Sequence, residues 1–299
     1  MKIYVVGGRG FVGSSCLRLL KTRHTIISDP TNSKSVSSLQ FWTNEFTKYQ
    51  PDAVIMAAGR VSKFEDLDTQ RALLYSLNSE LQVDVIQGAS LAGVSKLVYL
   101  SSSAVYDHID KLDPTENDLC ISNLDDLQMY PRVKLEGMKL CEQLSKKGLN
   151  FHSLIASNLY GEGDSFDPSR SLFIASLIHR VSQALRSGMD YIEMSGHHGT
   201  LRDYLYISDL VNSVEMVLEL DQPGSNWNVG SRKMHSNTQV SELISELMSY
   251  SGTITFARKE PEKILRKRMN TEKISALGWR SETNFLDGIK ATIEFYNNL

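Results

Sequence analysis

The sequence predicts an α/β fold, a doubly wound parallel sheet (Rossmann) followed by a smaller mixed α/β region, and three observations carry that prediction. A short strand pattern at the amino terminus runs directly into a glycine-rich turn and then a helical pattern. Continuous apolar runs, the mark of strands buried on both faces, alternate with helix-period segments through the first half of the chain. After about residue 162 that rhythm changes, and Gly, Asp, Ser and Pro cluster.

Taken in order, Lys2 to Val6 is β-branched and aromatic, Gly7 to Gly13 is the turn, and Cys16, Leu17, Leu19 and Leu20 recur at helical spacing. Further strands are expected at Thr25 to Ile27, Ala53 to Ala57, Leu97 to Leu100 and Phe151 to Ile155. Helical patterns include Leu73 to Leu91 and Leu135 to Leu144. Gly161-Glu162-Gly163-Asp164-Ser165 and Asp167-Pro168-Ser169 read as a loop leaving the first unit. The expected organisation is a dinucleotide-binding region over 1–165, to which about 203–230 returns, and a substrate-binding region over 166–299 interleaved with it. Repeats and low-complexity tracts are absent, and the basic segment Lys263 to Arg268 is short.

Composition narrows the function classes. The 299 residues carry a formal charge of −3, with 22% charged and 41% hydrophobic residues, so no basic excess draws the chain to nucleic acid or to an anionic membrane. Cys16, Cys120 and Cys141 are an odd number without CxxC spacing, which argues against a disulfide framework and a zinc site. No apolar stretch approaches the roughly 20 residues that span a bilayer. The amino-terminal apolar run is expected to be a strand rather than a signal peptide, and the protein to be soluble and cytoplasmic.

Gly7, Gly10 and Gly13 form GxxGxxG, a three-spaced variant of the dinucleotide fingerprint, with Arg9, Phe11 and Val12 in the same turn. Glycine permits the tight turn, lets amides approach a pyrophosphate, and allows close packing of the helix whose positive end faces the anion. Two residues point opposite ways on the cofactor. Asp29, closing the second strand pattern, suits a ribose 2′-hydroxyl, as in NAD sites, or a turn before Pro30. Arg9, with Lys34, suits the 2′-phosphate of NADP. NADP (NADPH) is favoured, with NAD as the alternative.

Tyr130 and Lys134 stand four apart, hence on one helix face about one turn apart. A cation there favours phenolate over phenol, which is expected to move the tyrosine pKa toward neutrality and let it exchange a proton with a carbonyl or alcohol. Leu100-Ser101-Ser102-Ser103 ends a strand in hydroxyls at the sheet edge where such folds bind ligands. His197-His198 sits in a loop-like segment without further metal ligands at useful spacing. His152 and Cys141 read as packing residues.

Together these motifs resemble the extended short-chain dehydrogenase/reductases that act on nucleotide sugars, over nearly the whole chain. The resemblance implies that Ser102, Tyr130 and Lys134 are the catalytic set, with Asn78 supporting the lysine and Lys134 also holding the nicotinamide ribose. Ala57-Ala58-Gly59 is similar to the segment ending near the nicotinamide. Asn158-Leu159-Tyr160-Gly161 resembles the NxYG signature whose Asn faces the substrate diphosphate, and Arg202 to Leu210 resembles the Arg-x-Phe-x-x-Val-x-Asp segment that re-enters the first domain.

Within that family the likeness is greatest to the GDP-fucose synthases, through Asn158 to Pro168 and Leu277-Gly278-Trp279. It implies that Ser103, Asn158, Arg180, Arg202 and Arg266 meet the nucleotide-sugar substrate, the guanidinium forks suiting a diphosphate. Two positions depart from the pattern. The epimerisation Cys of such synthases, two residues after the catalytic Ser, is Ala104 here, and its partner His is Leu172. Neither side chain moves protons.

The expected activity is therefore NADPH-dependent reduction of the C4 ketone of a nucleotide-linked 4-keto-6-deoxy sugar without C3/C5 epimerisation, in deoxysugar biosynthesis. A 4-epimerase that retains NAD is the first alternative, and a non-catalytic nucleotide-binding regulator the second. The long helices match those that pair across homodimers in this family. No metal is expected.

Overall fold

β1 (Lys2–Val6) runs through the middle of the molecule because four of its five side chains, Ile3 to Val6, are apolar and are fully buried. Alternate residues serve opposite faces of the sheet, as the strand period of two requires. Tyr4 and Val6 enter one core, while Ile3 and Val5 enter the other. The computed structural model describes residues 1–28, 38–59, 68–119, 128–168, 170–259 and 266–299.

Next in the chain come α1 (Phe11–Leu20), β2 (Thr25–Ser28), α2 (Leu39–Tyr49), β3 (Ala53–Met56), α3 (Asp68–Leu91) and β4 (Lys96–Ser102). A 3-10 turn at Ser103–Tyr106 precedes α4 (Met129–Ser145), β5 (Asn150–Ala156), β6 (Asn158–Tyr160), α5 (Phe173–Ser187), β7 (Tyr191–Met194) and β8 (Leu201–Tyr206). The remainder is α6 (Ile207–Glu219), β9 (Asn226–Val229), β10 (Met234–Ser236), α7 (Asn237–Leu247), β11 (Thr253–Phe256), β12 (Arg266–Lys267), α8 (Glu272–Ser275) and α9 (Phe285–Asn297).

Among the described residues the main sheet has the order β2-β1-β3-β4-β5-β9, every pair parallel. The chain leaves β1 to one side for β2 and returns to its other side for β3. The strand order reverses there, the switch point where such sheets open a crevice at their carboxyl edge. Trp42 and Phe46 of α2, Val85 and Ile86 of α3 and Met138 of α4 cover one face. Cys16 and Leu20 of α1 with Leu210 and Val214 of α6 cover the other, joined by Ile274 and Trp279 from the carboxyl-terminal segment.

A third core is built wholly from residue 160 onward: α5, α7 and α9 contribute Ile178, Val181, Val240, Ile244 and Ile289, packed on Tyr160 and Tyr204. Its strands form a β10-β8-β12 sheet, with β6 also on β8, and a separate β11-β7 pair. No described helix is long and apolar enough to cross a membrane.

Candidate active site

The first βα turn is a cradle shaped by absent side chains. Gly7 holds φ at 89°, and a Cβ there would lie 2.6 Å from the Ala58 amide nitrogen just past β3. A Cβ on Gly13 would overlap the Gly7 carbonyl oxygen, so α1 is pressed against the turn. The Gly10 amide closes the turn on the Gly7 carbonyl at 2.9 Å. Gly10 offers α1 no side-chain cap, and no acidic residue sits in the first helical turn. The backbone amides at the start of α1 and its positive end, with Phe11 and Val12 half-buried beside them, fit a dinucleotide pyrophosphate. Arg9 is exposed at the tip of the turn. Ala57, tied through its amide to the Val6 carbonyl at 2.9 Å, leads through Ala58 to an exposed Gly59. Asp29 and Lys34 lie outside the described residues.

The proton-handling groups meet at the carboxyl end of β4. Ser102, in register with Ala156 of β5, caps the 3-10 turn by accepting the Ala104 amide at 3.3 Å, and Ser103 is buried at the start of that turn. The Ser102 hydroxyl also faces the phenol of Tyr130, which stands in the first turn of α4. Burial pushes the Tyr130 phenol up from its usual range, and the neighbouring Ser102 hydroxyl offsets only part of that rise. The phenol therefore remains protonated near neutrality, contrary to the depression that its spacing from Lys134 leads one to expect.

One turn later, Lys134 Nζ donates to the Leu100 carbonyl at 2.8 Å and lies 5.1 Å from the centre of the Tyr99 ring. A Cβ on Gly59 would stand 3.6 Å from the same ammonium, so Lys134 spans the ends of β3 and β4. Burial lowers its pKa to about 8. Asn78 is half-buried on α3, on the helix face that carries Tyr75 and Gln82. Those two reach α4, Tyr75 donating to Glu136 at 2.8 Å and Gln82 to the Val133 carbonyl at 2.9 Å.

Two residues past Ala156, Asn158 begins β6 and donates through Nδ2 to the Asp203 carbonyl at 3.0 Å. A cavity of about 770 Å³ opens there, with Asn158, Leu172, Arg202, Tyr204, Asn237 and Arg258 in its wall. Asp203, fully buried behind Arg202, accepts the Ser231 amide at 3.0 Å, the Ser231 hydroxyl at 2.6 Å and the Arg232 amide at 3.1 Å. Burial raises its pKa against those bonds, and the carboxylate clamps β8 in place.

The expected substrate arginines divide. Arg202 lines the cavity, whereas Arg180 is exposed on α5 and donates to the Glu193 carbonyl at 2.8 Å, away from that wall. Arg266 sits on β12, its backbone in register with Leu201, and its side chain lies outside the described residues. Arg258 was missed by the sequence reasoning. The only signal was a cation soon after the Thr253-Ile254-Thr255-Phe256 strand pattern, and what brings it to the cavity is the parallel pairing of β11 with β7. Leu172, 45% exposed, is in the cavity wall, and Ala104 is in the 3-10 turn beside Ser102.

His197 builds a turn: its Nδ1 accepts the Gly199 amide at 3.1 Å, and its carbonyl accepts Asn237 Nδ2 at 2.9 Å. Among the described residues no group of acidic, His or Cys side chains could hold a metal ion. Cys16 and Cys141 are buried free thiols, each pushed up to about 12 by burial.

Comparison with known proteins agrees with this fold. The profile of the NAD dependent epimerase/dehydratase family matches residues 3–230. GDP-L-fucose synthase 1 of Arabidopsis thaliana is 28% identical over 307 residues, covering 99% of this chain and 93% of that protein. A GDP-L-fucose synthetase from Naegleria fowleri, solved bound to NADP, superposes with a TM-score of 0.86 at 20% identity, over 99% of this chain and 94% of the other. A GDP-mannoheptose C4 reductase from Campylobacter jejuni, solved with NADP bound, gives 0.84 at 23% identity, over 99% and 98%.

Proposed function

The chain belongs to the NAD dependent epimerase/dehydratase family, and on that premise we propose that it reduces the C4 ketone of a nucleotide-linked 4-keto-6-deoxy sugar, using NADPH, without inverting C3 or C5. The coarser statement, an NAD(P)-dependent oxidoreductase acting on nucleotide sugars, follows from relatives that are GDP-fucose and GDP-colitose synthases. NADP is the cofactor bound in two of the similar structures.

The observation that carries the reading is the Ser102 hydroxyl facing a protonated Tyr130 phenol, one helical turn from Lys134. When bound, NADPH supplies hydride to the carbonyl carbon. Tyr130 gives its proton to the oxygen as negative charge develops there, so that C=O becomes CH–OH, and Ser102 steadies that oxygen with a second hydrogen bond. The Lys134 ammonium stabilises the phenolate left behind and holds the nicotinamide ribose, and Asn78 supports it from α3. Gly7, Gly10 and Gly13 receive the pyrophosphate, and Arg9 the 2′-phosphate. Asn158, Arg202 and Arg258 hold the diphosphate of the sugar nucleotide.

Ala104 and Leu172 support the restriction to reduction. Inversion next to a ketone needs a base on one face and an acid on the other, and a methyl and an isobutyl group provide neither. On the same reading, the exposed Leu73, Val83 and Met129 on α3 and α4 support a homodimer. The test is a panel of GDP-, dTDP-, UDP- and CDP-linked 4-keto-6-deoxy sugars mixed with protein and NADPH. Loss of nicotinamide absorbance with one of them is expected, and no loss with any would end the proposal.

A further inference from the structure

Beneath the Ser102, Tyr130 and Lys134 cluster lies a second layer of polar side chains, buried from solvent. We propose that Tyr99 and Gln82 are positioning residues for Lys134: the Tyr99 ring seats the ammonium, and Gln82 fixes both that ring and the backbone of α4. The inference rests on the reading of Lys134 given above.

Four contacts tie the lysine into one closed path. Lys134 Nζ lies over the Tyr99 ring, 5.1 Å from its centre, while donating to the carbonyl of the next residue of β4, Leu100, at 2.8 Å. Tyr99 donates its hydroxyl to Gln82 Oε1 at 2.6 Å. Gln82 Nε2 in turn donates to the Val133 carbonyl at 2.9 Å, one residue before Lys134. Both ends of the lysine, backbone and ammonium, are thus referred to the same two side chains on β4 and α3.

Burial makes this more than packing. Tyr99 is 1% exposed and Gln82 3%, so every polar atom on the path would cost desolvation if it lacked a partner. An apolar pair of equal volume would fill the space without that demand, yet it would fix no direction. The amide orients itself uniquely, because only its oxygen can accept from the phenol and only its nitrogen can donate to the carbonyl. Space for the pair is reserved by Gly137, where a Cβ would overlap the Tyr99 hydroxyl and crowd Gln82 Oε1 at 2.8 Å. Gly137 stands one turn after Lys134, so α4 approaches β4 closely just where the lysine must reach the sheet edge.

The titratable groups around Lys134 do not take over this role. Burial holds the Tyr99 phenol well above its usual range, so it stays a donor and does not compete with Tyr130 for the proton chemistry. Glu136, on the same helix, is occupied by Tyr75 at 2.8 Å, Ser79 at 3.4 Å and Arg132 at 3.3 Å. Cys141 is a buried, protonated thiol. What faces the ammonium is the Tyr99 π-cloud, the Leu100 carbonyl and the backbone at Gly59.

The test titrates Lys134 itself, by NMR of isotope-labelled lysine in the substrate-free protein, with its resonance identified by its loss in Lys134→Arg. Tyr99→Phe keeps the ring, and pentafluorophenylalanine at the same position keeps the shape while removing the negative face. The Phe variant should titrate like wild type, whereas the fluorinated one should titrate lower by about half a pH unit or more. Equal midpoints in the two would overturn the seating role of Tyr99. For Gln82, Gln82→Met should lower kcat about 10- to 100-fold, with the KM for nucleotide sugar held within about twofold. An unchanged kcat, or a loss confined to KM, would overturn its part. Failure of the underlying reading shows separately, as full turnover in Lys134→Ala, because the titration needs no turnover.

Discussion

Trp279 donates its indole N–H to the main-chain carbonyl of Asp209 across 3.2 Å, joining two segments 70 residues apart. The Asp209 carboxylate then accepts Ser281 Oγ at 2.8 Å, Thr283 Oγ1 at 3.0 Å and the Thr283 amide at 3.2 Å. Both residues are almost fully buried. The contact pins the carboxyl-terminal segment to the first turn of α6, and α6 packs on the main sheet, so the third core is fastened to the sheet that carries the proton-handling groups.

That fastening is measurable as stability. Trp279→Ala removes a large buried side chain and leaves the Asp209 carbonyl short of a donor, and it should cost about 3–5 kcal/mol in urea denaturation. Trp279→Phe fills most of the volume and should cost less. Equal stability of the Ala variant and wild type would mean that the segment is held by other contacts.

Tyr130→Phe deletes one oxygen and keeps the ring. Turnover should fall by about 10²- to 10⁴-fold, the usual range for loss of a general acid, while NADPH titrates with unchanged affinity. Steady-state rates alongside fluorescence titration separate the two, and wild-type turnover would remove Tyr130 from the chemistry.

The alkaline limb of the rate profile belongs to Lys134. Its ammonium is needed to stabilise the tyrosinate, and burial brings its pKa down to about 8. Tyr130, raised rather than lowered, still carries its proton at that pH. Activity in the reductive direction is therefore present below about pH 8 and is lost as pH rises through that value. The same shift acts oppositely on stability: between about 8 and the ordinary lysine value of 10.5 the unfolded chain binds the extra proton, so stability rises with pH there. A profile flat to pH 10 would contradict the assignment.

The two arginines on the third core should part company. Arg258→Ala should raise the KM for the nucleotide sugar by about 10- to 100-fold, the equivalent of a lost charge-assisted hydrogen bond. Arg180→Ala, whose guanidinium is spent on the Glu193 carbonyl, should leave that KM within about twofold. Initial-rate measurements on both variants decide it, and the reverse ranking would return Arg180 to the site.

What was legible in the sequence is what is local. The strand, glycine turn and helix at the amino terminus are contiguous, and the buried strands announce themselves as apolar runs because both of their faces are covered. Tyr130 and Lys134 lie one helical turn apart, so their shared face could be read directly. What was hidden depends on pairings between distant segments. β6 is three residues long and exists through its register with β8; Arg258 reaches the cavity because β11 pairs with β7. The Tyr130 pKa departs from what spacing suggests for a related reason: spacing reveals a neighbouring cation, whereas burial, the larger influence here, is a property of the whole fold.

The central claim, ketone reduction without inversion, is tested most directly by running the reaction in deuterated water with NADPH and a GDP-linked 4-keto-6-deoxyhexose. With Ala104 and Leu172 where a base and an acid would be needed, the product should carry no deuterium at C3 or C5, because only the exchangeable hydroxyl proton comes from solvent. Deuterium bound to either carbon, beyond that in an enzyme-free control, would contradict the account and return the chain to the epimerising synthases.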